Sequence, residues 1–542
     1  MISLPLLSVF VLLVVLIFRV LKWHQSRQPP KGLRPVPGPK GLPFIGNIHQ
    51  LKPQPQRQME AWAKEYGELF QVQLGWNTWV YLCSPESVKE IMDRQSAKSS
   101  SRTPSPVVSD LVSGGMRFLF MENNEVWRKI GTIVHKLLSA KATNTFKPSQ
   151  EFEAKQLVHD ILTKNTNEMD FYQHVRRYTS SVVMTSTYGK RIPRWECEEI
   201  REVYQIMHEF SEYAGPTAWL AEAFPPLAKI PIWMQWWRKR ALVYYKRQEK
   251  LWLRLFRELK AQMDDGIAPE CFVKRMMESS FEKEGISELQ AAFLCGSIIE
   301  AGSETTSSAL NSCIKYLGAN PTVQSAAHEE LDRMIGDARS PTFEDEESLP
   351  YIRAIVKEVQ RIRPVTTIGT PHYTTEDIQY RGRFIPKGTV VSICQYAIHF
   401  DPRQYDEPKE FRPERYLNFP LKAGTYAVQA DPRQRDHFSF GAGRRICPGM
   451  HLAENSLFIT IAKILWAFEI LPPSGLGDCF DIDVSDAAYQ DGADTVPKPY
   501  RMRFKPRNST IYKTIEQEWN EAERGGFYLG NVKVDKMGIV IP

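Results

Sequence analysis

One cysteine in this chain stands among residues that favour an ionised thiol. The stretch HFSFGAGRRICPGMHLAEN, His437 to Asn455, places Cys447 after Gly441, Gly443, Arg444 and Arg445. Pro448 follows, and proline is tolerated in the first turn of a helix but cannot continue one. From Gly449 to Ile470 no further Gly or Pro interrupts, and Met450, Leu452, Ala453, Leu457, Phe458, Ile461, Leu465 and Phe468 supply a broad apolar face. The pattern predicts a helix with Cys447 at its N-terminus, where free N–H groups and the macrodipole stabilise an anion. A lone cysteine is more often a small buried hydrophobe. Here the glycines leave room for a flat group against the backbone, and the arginines offer cations to acids at its edge. The chemistry that suits this spacing is a thiolate metal ligand.

The same residues fill a ten-position pattern, F-x-x-G-x-R-x-C-x-G, with Phe440, Gly443, Arg445, Cys447 and Gly449 each in place. This resembles the haem-binding loop of the cytochrome P450 monooxygenases. The resemblance implies that Cys447 is the proximal ligand of a haem b iron, whose thiolate donation favours O–O cleavage. Two further motifs agree. Glu358 and Arg361 are three apart, on one helix face, and with Arg415 in FRPERY they resemble the family's structural Glu-Arg-Arg triad. AGSETT, Ala301 to Thr306, resembles the oxygen-activation motif. Read directly, Ala301 and Gly302 are small enough for a diatomic molecule to lie against the helix. The Thr305 hydroxyl can reach the Ala301 carbonyl four residues back, and Glu304 can relay protons. Glu304 and Thr305 are therefore the candidate acid relay.

For the haem propionates the resemblance points to Trp127, His372, His437 and Arg445. It departs from pattern at Gly131, where an arginine is expected; Arg128, Arg102 and Arg117 are the candidates to replace it. It also implies electrons from NADPH through NADPH–cytochrome P450 reductase, docked on a positive face of Arg128, Lys129, Lys136, Arg433, Arg435 and Arg444. No Gly-rich nucleotide loop of the Rossmann type is present for NADPH itself. The chain looks similar to fungal members of the family, many of which tailor secondary metabolites. Two rivals keep the haem: an isomerase or dehydratase that does not use O2, and a non-catalytic membrane haem protein. The Glu304–Thr305 pair counts against the first, and the lack of a separate output domain against the second.

These residues need a scaffold. Ser287 with Gln290 three residues on is an N-terminal cap, and a helix without interruption runs from there to Gly318, Asn320 and Pro321. At 1.5 Å per residue it spans about 45 Å and crosses the whole domain. LFQVQLG, TWVYLC, IQYRGRFIPKGTVVSI and YRMRF read as short strands. The expected class is mainly α with small β-sheets, the cytochrome P450 fold, in a single catalytic domain over 44–510. The resemblance implies substrate contacts from about Thr103 to Phe120, the Trp-rich region Phe210 to Trp237, the long helix around Phe293, and Val365 to Pro371. These are largely apolar, which suits a hydrophobic small-molecule substrate.

Before that domain, Ile2 to Phe18 is a run of roughly 17 apolar-dominated residues, at the short end for a membrane span. Basic residues follow it and none precedes it, so 1–21 is expected to be a single-pass transmembrane anchor in the endoplasmic reticulum membrane, with the catalytic domain cytosolic. Six prolines between Pro29 and Pro43 make 22–43 a stiff linker. Phe210 to Trp237 is rich in tryptophan, which suits a second membrane contact or helix packing equally. The net charge of +6 is too small to argue for nucleic acid. The eight cysteines include no C-x-x-C pair, which excludes a zinc ribbon and covalent haem attachment. Residues 511–542 are expected to be a tail, with a short helix in STIYKTIEQEWNEAERGG and a loose end.

Overall fold

The computed structural model describes residues 28–541 apart from 53, 215–217, 476–481, 491 and 493. The expected anchor over 1–21 lies outside them. Among the described residues no helix is long and apolar enough to cross a membrane.

The longer helices, in chain order, are α1 (Pro55–Tyr66), α2 (Glu125–Leu137), α3 (Lys147–Thr163), α4 (Asp170–Tyr188), α5 (Glu198–Tyr213), α6 (Arg238–Asp264), α7 (Glu288–Ala319), α8 (Pro321–Met334), α9 (Pro350–Ile362), α10 (Met450–Ala467) and α11 (Ser509–Gly525). α7 starts where its cap predicts: the Ser287 hydroxyl accepts from the Gln290 N–H at 3.2 Å. It ends at Asn320, because Pro321 opens α8 at the one helical position where a missing N–H costs nothing. α7 is the shared spine of two cores. Leu310, Cys313, Ile314 and Leu317 enter a cluster with α3, α4, α8, α9 and α10. Ala292, Phe293, Cys295 and Ile299 enter a second with α2, α5 and α6. A helix buried on nearly every side has no solvent stripe, and that is why its apolar pattern is continuous.

The strands are short and peripheral. β1 (Arg34–Pro35) pairs in parallel with β6 (Arg383–Ile385), which pairs antiparallel with β5 (Ile378–Tyr380). β2 (Leu69–Leu74) and β3 (Asn77–Leu82) form a hairpin; β7 (Val390–Ile393) lies parallel to β3, and β4 (His372–Tyr373) closes that sheet. β8 (Phe468–Leu471) pairs with β9 (Arg503–Pro506), and β10 (Phe527–Leu529) with β11 (Val532–Val534).

Two expectations are revised. The proline-rich linker joins the domain before its expected end at residue 43. Arg34 and Pro35 are already strand, Val36 is buried, and Gly38 lies so close to the Gln71 carbonyl that a Cβ would overlap it. The tail is not loose. α11 lays Ile511, Ile515 and Trp519, spaced four apart, against the domain, and Trp519 meets Phe152 of α3 with centroids 5.5 Å apart. The β10–β11 hairpin turns at Gly530–Asn531, with Gly530 at φ 59°, and buries Phe527, Leu529 and Val534.

Candidate functional site

Cys447 lies three residues before α10, on a loop folded back on itself: its N–H donates to the Phe440 carbonyl at 2.8 Å. Gly443 has φ 68°, and a Cβ there would sit 2.0 Å from the Met92 carbonyl oxygen, so only glycine fits. A Cβ on Gly449 would meet only the Cys447 sulfur, at 3.9 Å. That side of the sulfur is open.

The electrostatics differ from the expectation. Arg444 is exposed and Arg445 turns away from the sulfur. Burial pushes the Cys447 thiol up to about 11, opposed only by the Gly449 N–H. A coordinated metal would hold the cysteine as thiolate, since a ligating thiol is deprotonated by the metal's own charge.

Arg445 instead joins a separate cluster. Its guanidinium lies 3.8 Å over the Trp127 ring and donates to the carbonyls of Ser100 at 2.9 Å and Met121 at 2.6 Å. Arg102 donates to Leu119 and Thr370 carbonyls at 2.8 and 3.0 Å. His372, on β4, holds the Ser99 carbonyl through Nδ1 at 2.9 Å. Burial lowers Arg445, Arg102 and His372 below their ordinary values, and charge repulsion from Arg102 adds to this at Arg445 and His372. Trp127 Nε1 is buried with no acceptor. A buried and a half-buried arginine, a histidine and an orphaned donor, with no carboxylate among the described residues ion-paired to any of them, form a site for a group with acidic edges. Haem fits this donor set.

Among the candidates for the role left by Gly131, Arg102 is in the cluster. Arg128 projects into solvent, and Arg117 is ion-paired elsewhere, with Glu300. His437 is also elsewhere. It is buried beside Asp436, with its Nδ1 accepting from the Ser439 N–H at 3.3 Å.

The triad residues come together. Glu358 and Arg361 are wholly buried; Arg361 donates through Nε and Nη2 to the two Glu358 oxygens, each at 2.8 Å, and Arg415 Nε reaches Glu358 at 3.1 Å. The remaining Arg361 donors meet carbonyls of His399, Pro408 and Glu410. All five guanidinium N–H groups are used. His399 in turn accepts from the Phe438 N–H at 2.9 Å, so the triad is braced against the cysteine loop.

On α7 the Thr305 hydroxyl donates to the Ala301 carbonyl at 2.5 Å, and Ala301 is exposed to the open chamber. Gly302 is not. A Cβ there would lie 2.5 Å from a Val183 methyl, so its smallness lets α4 approach rather than making room for a ligand. Helical phase is the reason: successive residues point about 100° apart, so both cannot face one chamber. Glu304 accepts from Arg176 of α4 at 2.8 Å.

The fold, with a cysteine loop braced by a buried Glu-Arg-Arg cluster and a long central helix that carries Glu304 and Thr305, defines a haem-thiolate class of protein. The cytochrome P450 family profile matches residues 36–481. The chain is 41% identical to cytochrome P450 monooxygenase pgmC of Aspergillus terreus over 94% of its length and 93% of the relative's. It is 39% identical to cytochrome P450 monooxygenase verL of Clonostachys rogersoniana, over 96% and 95%, and 34% identical to cytochrome P450 monooxygenase virE of Hypocrea virens, over 89% and 87%. The chain belongs to the cytochrome P450 family: it is a monooxygenase that binds haem b, acts on a small molecule and takes electrons from a redox partner.

Proposed function

We propose that Cys447 would ligate a haem iron as thiolate and that Arg102, Arg445, Trp127 and His372 would hold the haem propionates, in a membrane-anchored enzyme that oxygenates a hydrophobic substrate. The observation that carries this reading is the buried, like-charged Arg102–Arg445 cluster beside the loop that presents Cys447. When bound, the haem supplies O2 reduction and oxygen-atom transfer. The chain's own residues do the rest. Phe440, Gly443 and Gly449 shape the thiolate loop. Thr305 presents a hydroxyl to the chamber, and Glu304 behind it supplies protons. The intact Glu304–Thr305 pair supports the oxygenase over the O2-independent rivals.

Electrons are proposed to come from NADPH–cytochrome P450 reductase at the exposed basic residues Arg128, Lys136 and Arg444, with Lys129 beside them. Two other members of the expected face do not serve. Arg435 is buried, donating to the His437 carbonyl, and Arg433 is ion-paired with Glu86. For the membrane, the support is an apolar surface: Trp233, Trp236 and Phe44 are 84%, 66% and 78% exposed, whereas Trp219 and Trp237 pack inside. Such a patch on the linker side suits a lipid interface in the endoplasmic reticulum, behind an anchor over 1–21 and linker over 22–43. The fungal sources of the relatives fit a place in fungal secondary metabolism.

The test is the reduced carbon monoxide difference spectrum of wild type and Cys447→Ser. A strongly red-shifted Soret band that the substitution abolishes supports thiolate ligation by Cys447. A band typical of histidine-ligated haem in folded wild type overturns it.

A further inference from the structure

Two polar groups at the rim of the chamber have bonding capacity that the protein leaves unspent. Residues 118–121 lie across the propionate cluster: Arg445 holds the Phe118 and Met121 carbonyls at 3.4 and 2.6 Å, and Arg102 holds the Leu119 carbonyl at 2.8 Å. Arg117, the residue before them, reaches from this loop to Glu300 on α7. Glu300 is about 100° round that helix from Ala301, in the opposite sense from Gly302. It therefore stands beside the residue that opens onto the chamber. The Arg117 guanidinium lies 4.9 Å over the half-buried Phe210 ring, on which Phe120 stacks at 6.0 Å. The surroundings of the pair are aromatic.

Arg117 gives Nη1 and Nη2 to Glu300, and Nη2 also meets the Tyr213 hydroxyl at 3.0 Å and the Gln248 Oε1 at 2.8 Å. Its Nε–H is buried and has no acceptor among the described residues. The Glu300 carboxylate takes its bonds from Arg117, and no other donor among the described residues reaches it. A carboxylate has about four lone-pair sites. Burial pushes the Glu300 carboxyl above its ordinary value even though Arg117 opposes that shift, so a further donor would be a gain. A desolvated donor and a desolvated acceptor with capacity left over favour a ligand that fills them.

We propose that Arg117 and Glu300 form a polar subsite of the chamber that anchors the hydroxyl of a neutral, ring-bearing hydrophobic substrate. This rests on the reading of the site as an oxygenase chamber for a hydrophobic compound. The hydroxyl donates to the Glu300 carboxylate, and a second oxygen on the same molecule accepts from Arg117 Nε. The charges of the pair already cancel. A carboxylate on the substrate is repelled by Glu300 and an ammonium by Arg117, so the subsite selects a neutral group over either ion. The polar end is fixed at the rim, and the apolar remainder lies against Ala301. A site that bonds a substrate hydroxyl discriminates strongly against the analogue that lacks it, because its own buried groups are then left unpaired.

Titration calorimetry on the full-length haem-loaded protein tests this without turnover, using matched compounds: para-cyclohexylphenol, its methyl ether, para-cyclohexylbenzoate and the parent cyclohexylbenzene. The phenol should bind about tenfold tighter than the ether, which cannot donate, and than the parent. The benzoate should bind weakest. In the double variant Arg117→Met with Glu300→Leu, the advantage of the phenol should vanish while the parent binds as in wild type or better. Glu300→Gln leaves the Arg117 charge uncancelled, so the benzoate should become the tightest of the series and should raise the melting temperature of that variant most. An ion pair that only holds the loop would move none of these preferences. Equal affinity of phenol, ether and parent in wild type overturns the proposal and leaves the hydrophobic chamber standing. A phenol preference that survives in the double variant overturns it too, because the anchor is then elsewhere. If the parent hydrocarbon neither binds nor shifts the haem spin state, the hydrophobic-substrate reading fails and this proposal fails with it.

Discussion

Arg117 and Glu300 form a two-pronged ion pair inside the protein, with Arg117 Nη2 3.2 Å from Glu300 Oε1 and Nη1 on the other oxygen. Arg117 belongs to the loop expected to contact substrate; Glu300 is on α7, one residue before Ala301. Arg117 also donates to Tyr213 of α5 at 3.0 Å and to Gln248 of α6 at 2.8 Å. The pair therefore ties the loop to three helices at the edge of the chamber. The side chains are only 5% and 7% exposed, so neither charge has water to fall back on.

Removing one partner strands the other. Glu300→Ala should cost about 3–5 kcal/mol, the usual penalty for an uncompensated buried charge, measured by urea unfolding of the haem-loaded protein. Replacing both, as Arg117→Met with Glu300→Leu, should recover most of that loss. A double variant as unstable as Glu300→Ala would show that the ion pair itself, rather than the stranded charge, carries the effect.

The propionate cluster should behave in the opposite way in the haem-free protein. Arg102 and Arg445 repel one another across a desolvated space, so a propionate that meets both relieves a strain the apoprotein bears. Arg445→Gln should weaken haem retention by about tenfold or more, given that a charge-assisted bond is worth about 1.5–3 kcal/mol. It should leave the melting temperature of the apoprotein unchanged or raised. Haem transfer to apomyoglobin measures the first, and differential scanning fluorimetry the second. Equal losses of stability with and without haem would assign Arg445 a structural role instead.

His437, though not at the propionates, sets an acid limit. Burial pushes its imidazole down from 6.5 to about 4; Asp436 opposes that shift, while Lys357 and Arg435 add to it. Between those values the unfolded chain binds a proton that the folded one refuses, so stability is complete above pH 6.5 and falls as pH drops toward 4. The full span corresponds to about 3 kcal/mol. His437→Gln should flatten the urea midpoint across this range. An unchanged acid slope would place the sensitive group elsewhere, with His399 the next candidate because burial also holds it well below its ordinary value.

Legibility in the sequence followed how local the cause was. The cysteine loop, the triad and the α7 cap were readable because each depends on residue type at short spacing, and the observed Ser287 cap and Glu358–Arg361 pair have the expected partners. The approach of Val183 to Gly302, more than a hundred positions apart, was illegible because a helix's own sequence does not say which neighbour each face meets. The partners of Arg445 were illegible for a similar reason: it is two residues from Cys447 in sequence but is drawn off by Trp127 and the Ser100 carbonyl. Arg102 was one of three arginines the sequence could not choose among, and Glu300 gave no sequence signal, since each gains its meaning from elements far along the chain. The tail did carry a signal. FYL and VKV alternate around Gly530–Asn531, a hairpin pattern.

That hairpin and α11 cover apolar surface the catalytic domain cannot leave bare. Trp519 and Phe527 both meet Phe152, at 5.5 and 4.6 Å between centroids, and Arg191 donates to the Lys536 carbonyl while it holds the buried Glu153 at 2.6 Å. Glu518 accepts from the Ser340 N–H at 2.7 Å and its charge faces Lys463 of α10, the helix that follows the cysteine loop. Trp519→Ala should therefore cost about 3–5 kcal/mol, the range for emptying a large aromatic site. Truncation after Asn508 should be worse than Trp519→Ala, because it also strands Lys463 beside no carboxylate from α11. Thermal melts of the haem-loaded forms check the order. A truncated protein that melts with wild type would mean that α3 and α10 are held without the tail.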